Sequence, residues 1–124
     1  MRWLIDASNV IGSRPDGWWR DRAGAARRLV ASLRVWAKAE AANATVVLDA
    51  GPDDLLGEAG GVTVLRAGRR GRDAADDEIV RLLAADPAAR EVRVVTSDGA
   101  LAARVRALGA SVEGAGEFRA RLDG

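Results

Sequence analysis

The chain has no cysteine, no histidine and no tyrosine among its 124 residues. Without cysteine there is no disulfide, no thiolate nucleophile and no sulfur-ligated zinc. Without histidine, imidazole acid–base catalysis and histidine-held metals are excluded as well. The chemistry that remains belongs to carboxylates, arginines, hydroxyls, backbone groups and water. Lysine is nearly missing: Lys38 stands alone, so almost all positive charge is arginine, whose planar fork suits phosphate. A GC-rich coding sequence would produce the same arginine and alanine bias. Long apolar runs are absent too. MRWLIDASN holds no apolar region of signal-peptide length, and nothing approaches about 18 uninterrupted apolar residues. The expectation is a cytoplasmic protein without a membrane segment.

What is present is a globular balance, 48% hydrophobic and 30% charged, sized for a single domain over residues 1–124. A formal net charge of +1 gives no general attraction to nucleic acid, so local patches must decide partners. Apolar runs at 3–5, 45–48, 62–65 and 92–96 read as strands. Trp19, Ala23, Ala26, Val30, Leu33 and Ala37 recur at helical spacing between the first two. Residues 73–85, with Ile79, Leu82 and Leu83 inward, and 98–108, with Leu101, Val105 and Leu108, give two more helices. Residues 53–61 read as a partial helix or loop, 111–113 as a short strand and 116–122 as a small helix. Strands separated by helices imply right-handed crossovers and a mainly parallel sheet of four or five strands, covered by helices on both faces.

In such sheets ligands collect at the carboxyl ends of the strands. Asp6 follows WLI, Asp49 follows VVL and Asp98 follows VVTS, so three strands end in aspartate at one rim. The stretch GRDAADDEIV adds Asp73, Asp76, Asp77 and Glu78 at the start of the next helix. Capping and the helix dipole account for one or two of these acids. Their convergence with the strand-end aspartates demands a cation, because repelling carboxylates otherwise take up protons. Asp6, Asp76, Asp77 and Asp98 are therefore the expected ligands of a hard divalent metal, with Asp76 and Asp77 inward and Glu78 outward. Asn9 either orients an acid or a metal water, or closes an Asx turn. Asp49, followed by Ala-Gly-Pro, is either a further site acid or an ordinary turn residue.

Arg66, Arg69, Arg70 and Arg72 lie one loop before the acids, where they would grip phosphate if they are not simply solvated. Thr96 and Ser97 offer hydroxyls to phosphate or to loop backbone. Trp18 falls off the helical stripe and is available to stack on a base, whereas Trp19 belongs to the stripe and the core.

The ordered segments DASN, VVLDAG, ADDEI and VVTSDGAL resemble the NYN domain family of PIN-like ribonucleases, in particular its YacP-like branch. The resemblance covers roughly the whole chain. It implies a three-layer α/β/α, Rossmann-like fold, a Mg2+ or Mn2+ cofactor and hydrolysis of RNA phosphodiester bonds, with Asp6, Asn9, Asp76, Asp77 and Asp98 at the acidic centre. The expected function is thus a metal-dependent endoribonuclease acting through metal-activated water, with Arg66, Arg69, Arg70, Arg72, Ser97 and Trp18 contacting RNA. The alternative is a non-catalytic RNA-binding or protein-interaction module of the same fold. A receiver-like phosphoryl-transfer domain needs a lysine near the later strands, whereas Lys38 lies in the first helix. Dinucleotide binding lacks a G-x-G-x-x-G after the first strand.

Overall fold

A computed structural model describes residues 2–68 and 74–124 of the protein. Three β-branched or aliphatic runs make the centre of the sheet: β1 (Arg2–Asp6), β2 (Asn43–Leu48) and β5 (Val92–Val95). β1 is flanked in parallel by β2, with Ile5 opposite Val46, and by β5, with Ile5 opposite Val95. Outside β2 lies β4 (Val62–Arg66) and outside β5 lies β6 (Ser111–Glu113), both parallel to their neighbours. Burial on both faces explains why the central runs read as continuous apolar stretches.

The sheet is wider than expected. A sixth strand, β3 (Gly57–Ala59), pairs antiparallel with β4 and gives the order β3-β4-β2-β1-β5-β6. It occupies part of the stretch read from sequence as partial helix or loop, of which a 3-10 turn at Asp53–Leu55 does form. The hairpin closes through Gly60 and Gly61 at φ of 62° and 81°. Two consecutive left-handed residues are the requirement of the tight turn that matches strand twist, and glycine meets it without steric cost.

Strand alternation divides the core in two. Trp3, Ile5, Val46 and Leu48 face α1 (Ala7–Ile11), α2 (Arg22–Glu40) and α5 (Ala115–Asp123). Leu4, Val47 and Val94 face α3 (Ala74–Ala84) and α4 (Gly99–Ala107). The first side is locked by Trp3, Trp36 and Phe118, whose ring centroids lie 5.1–5.3 Å apart. No described helix is long and apolar enough to cross a membrane.

Three side-chain expectations fail, at Trp19, at Leu108 and at Ala23, which lies on the exposed side of α2. α2 begins at Arg22 because Asp21 caps it, accepting from the Gly24 amide at 2.9 Å. Trp18–Arg20 form a separate 3-10 turn, so Trp19 leaves the helical stripe and is 48% exposed. The buried face of α2 is Ala25, Ala26, Leu29, Val30, Leu33, Trp36 and Ala37. Leu108 lies past the end of α4 and is 37% exposed, and Ala102 takes the inward place beside Leu101 and Val105.

Candidate functional site

Because β2, β1 and β5 are neighbours, the segments leaving their carboxyl ends meet at one rim. Asp6 is the last residue of β1, Asp49 follows β2, and Thr96 to Asp98 link β5 to α4. Asp6 shares the alternation of Leu4 and so lies toward α3, whose first turn carries Asp76 and Asp77.

Asp6 is 1% exposed, and side chains supply its partners. It stands at the N-cap position of α1 yet its carboxylate caps no backbone amide. Instead Oδ2 accepts from Asn9 Nδ2 at 2.6 Å and from Thr96 Oγ1 at 3.2 Å. Both donors are themselves fixed from behind: the Ser97 amide donates to Asn9 Oδ1 at 3.2 Å, and the Asp98 amide to Thr96 Oγ1 at 3.1 Å. Asn9 is thereby oriented with its NH2 toward the acid. Ser8 Oγ lies 3.4 Å from Asp6 Oδ1 and 2.9 Å from Asp49 Oδ2. A hydroxyl has one proton, so the shorter contact takes it, leaving Asp6 Oδ1 weakly engaged.

Burial raises the Asp6 pKa to about 6, and the negative charges of Asp76 and Asp49 push in the same direction. The hydrogen bonds from Thr96 and Asn9 oppose that rise without cancelling it. An acid held this far above its ordinary value by desolvation and like charge marks a functional-site candidate. Asn9→Ala removes the shortest donor to the ionised form. The Asp6 carboxyl, followed by NMR titration, is then expected to move above its wild-type midpoint of about 6. An unchanged or lower midpoint would contradict the assigned network.

The remaining sequence candidates are placed differently. Asp77 pairs with Arg104 of α4 at 3.3 Å, and Glu78 with Arg81 one turn on at 2.5 Å. Asp98 caps α4, its Oδ1 accepting from the Ala100 and Leu101 amides at 2.9 and 3.1 Å. Ser97 Oγ accepts from the Ala115 amide at 2.8 Å, which ties the rim to α5. Arg66 reaches the Gly51 carbonyl at 3.1 Å and pairs with Asp53, and it lines one groove with Asp49, Gly51 and Gly68. Arg69, Arg70, Arg72 and Asp73 lie outside the described residues. Among the described residues, no three acidic side chains stand close enough to form a ready-made metal cage. Sequence reasoning missed Ser8. Its signal is its position in DASN, two residues past Asp6, once a helix starts at Ala7.

A family model described as "YacP-like NYN domain" matches residues 3–124. Among solved structures, the chain is similar to Rae1 (YacP) from Bacillus subtilis, with TM-score 0.74, 21% identity, and coverage of 99% of this chain and 74% of that one. A leucine-for-tryptophan mutant of the same protein gives TM-score 0.76 at the same identity and coverage. At that identity the likeness speaks for the fold. No curated protein matches.

Proposed function

The chain belongs to the YacP-like NYN domain family, and from that premise we propose that it is a metal-dependent endoribonuclease whose centre is built on Asp6 and Asp76. The observation that carries this reading is the buried Asp6 carboxylate, charge-coupled to Asp76 and aimed by Asn9 and Thr96 at the strand-end rim. A carboxylate placed only for stability would be solvated, would cap a helix as Asp21 and Asp98 do, or would pair with an arginine as Asp77 does with Arg104, and Asp6 caps no amide.

The donors at the rim fit Mg2+ or Mn2+. All are oxygens, and two coupled carboxylates are what such an ion uses when it keeps several of its waters and completes its shell with substrate phosphate. Asp6 and Asp76 would hold it, with Asp49 and Asp98 flanking. When bound, the ion lowers the pKa of water and neutralises charge developing on the scissile phosphate. The protein's own part is positional. Asn9 and Thr96 fix the Asp6 carboxylate through donors that are themselves anchored to the Ser97 and Asp98 amides, so the acid does not reorganise when a charge arrives.

Arg66 supplies the phosphate grip. Its pair with Asp53 is exposed on both partners, and exposed pairs contribute about 0–1 kcal/mol, so an RNA phosphate can displace Asp53 readily. Because Arg66 and Asp49 line the same groove, an RNA backbone held by the arginine passes beside the acids. Arg69, Arg70 and Arg72 continue the same basic segment in sequence and extend that grip.

A second reading, a module that binds RNA without cutting it, is favoured by the absence of a ready three-acid cage among the described residues. Incubation of the protein with labelled RNA in Mn2+, Mg2+ or chelator separates the two. The first predicts internal cleavage that chelator abolishes, the second a shifted but intact RNA in every condition.

A further inference from the structure

A cavity between the exit of β2 and the front of α2 shares Ser8 and Asp49 with the acidic rim, and its remaining lining takes no part in the chemistry above. It encloses about 580 Å³, within the roughly 300–1,000 Å³ of clefts that take small organic groups. Its lining is apolar below, where Ala7, Ala26 and Leu48 are at most 2% exposed. Trp18 and Arg22 also line it, with the guanidinium 5.4 Å from the indole centroid. Ser8 and Asp49, joined at 2.9 Å beside Asp6, complete it, so the cavity adjoins the acidic rim.

The chain has four tryptophans and one phenylalanine. Trp3, Trp36 and Phe118 are spent on the core. Trp18 is half-buried against the cavity instead, braced by the ring of Trp19 at 5.8 Å and by Arg22. An indole with a guanidinium over its ring, above an apolar floor and next to a phosphate-handling rim, suits a nucleobase that takes the place of the exposed arginine on the ring. The base offers a π-face to the ring and its backbone a negative charge to the arginine.

Resting on the ribonuclease reading of the rim, we propose that this cavity is a nucleobase subsite, in which one unstacked base of single-stranded RNA lies on Trp18 while its backbone runs past Asp49 toward the acids. Every base has a π-face, so the subsite selects for strandedness rather than sequence. A base inside a duplex has both faces covered and reaches Trp18 only after unpairing, so duplex RNA binds more weakly.

The test is equilibrium binding of a labelled single-stranded RNA in chelator, against a set in which one abasic residue is moved along the strand. In the wild type, one abasic position is expected to weaken binding about tenfold, the scale of a single base–aromatic stack. Trp18→Ala should erase that penalty and Trp18→Phe retain it. Ala23→Leu tests the same point without touching the indole: Ala23 is exposed on α2 and lines the cavity, so leucine fills the space from its edge. The inference is overturned if the abasic penalty is the same in wild type, Trp18→Ala and Ala23→Leu, if no position shows one, or if a duplex binds as tightly. Chelator keeps binding apart from cutting. A protein with a Trp18-dependent penalty that then cuts nothing in Mn2+ overturns the nuclease reading alone, and one that cuts without such a penalty overturns the subsite alone. Absence of RNA binding by the wild type overturns both.

Discussion

Asp6→Asn is expected to abolish RNA cleavage and, in the same protein, to raise folding stability above pH 6. The two effects have one cause. In the folded chain Asp6 titrates at about 6, against an ordinary 3.8, because burial and the charges of Asp76 and Asp49 disfavour its ionised form. Between those two values the folded state holds a proton that the unfolded state has released. Stability therefore falls as pH rises from about 4 to about 6, and the loss is complete above it. The gap of about two pH units corresponds to roughly 3 kcal/mol at about 1.4 kcal/mol per unit. Asparagine removes the ionisation while its carbonyl still accepts from Asn9 and Thr96 and its NH2 replaces Oδ1 next to Ser8. Urea unfolding of the variant at pH 7.5 in chelator should show a gain on the order of 2–3 kcal/mol that vanishes at pH 4. Cleavage should fall by about a thousandfold, because a ligand carboxylate at the reacting phosphate is lost. A variant less stable than wild type at pH 7.5 would contradict the strain assigned to Asp6.

Divalent ions are expected to do for the wild type what the asparagine does for the variant. An ion bound between Asp6 and Asp76 relieves their repulsion only in the folded state, so it stabilises by mass action: about 2.7 kcal/mol at 100 times its dissociation constant. For a chain of this size that is a rise in melting temperature of roughly 10 °C. Millimolar Mn2+ or Mg2+ in a thermal scan should show the rise in wild type and little of it in Asp76→Asn. Equal rises in both proteins would place the ion elsewhere, and no rise in wild type would deny a preformed site.

Much of this arrangement is legible in the sequence, and the part that is not has physical reasons. The strand-end aspartates can be found because parallel strands flanked by helices put all their carboxyl ends at one rim, whatever the details of packing. Asp6 follows from that rule alone, and the acids at the start of α3 are brought to the same rim by it. The choice between neighbouring acids does not follow from it. Asp77 differs from Asp76 by one helical position, and its partner Arg104 sits 27 residues away on α4, a contact no local pattern announces. Ser8 escapes because α1 has five residues, too few to show a helical period. Trp19 misleads because it continues the α2 spacing across Asp21, where the cap breaks the helix. The β3–β4 hairpin was written in Gly60–Gly61, a turn signal hidden by the polar, glycine-rich stretch around it. Asn9 stands three residues from Asp6 and is within reach of a local reading, whereas the bond from Thr96 spans a 90-residue separation that only the fold closes.

The most direct test of the central claim is a pair of readings on one variant, Asp76→Asn, with a labelled single-stranded RNA: the binding constant in chelator and the cleavage rate in Mn2+. Asparagine keeps the shape of the side chain while removing the charge that couples to Asp6. The account predicts that wild type cuts the RNA internally, that the variant cuts at least a hundredfold more slowly, and that the variant binds as tightly as wild type or more so, since less negative charge then faces the phosphates. Wild-type protein that binds the RNA and leaves it intact in Mn2+ and Mg2+, or a variant that cuts at the wild-type rate, would contradict it.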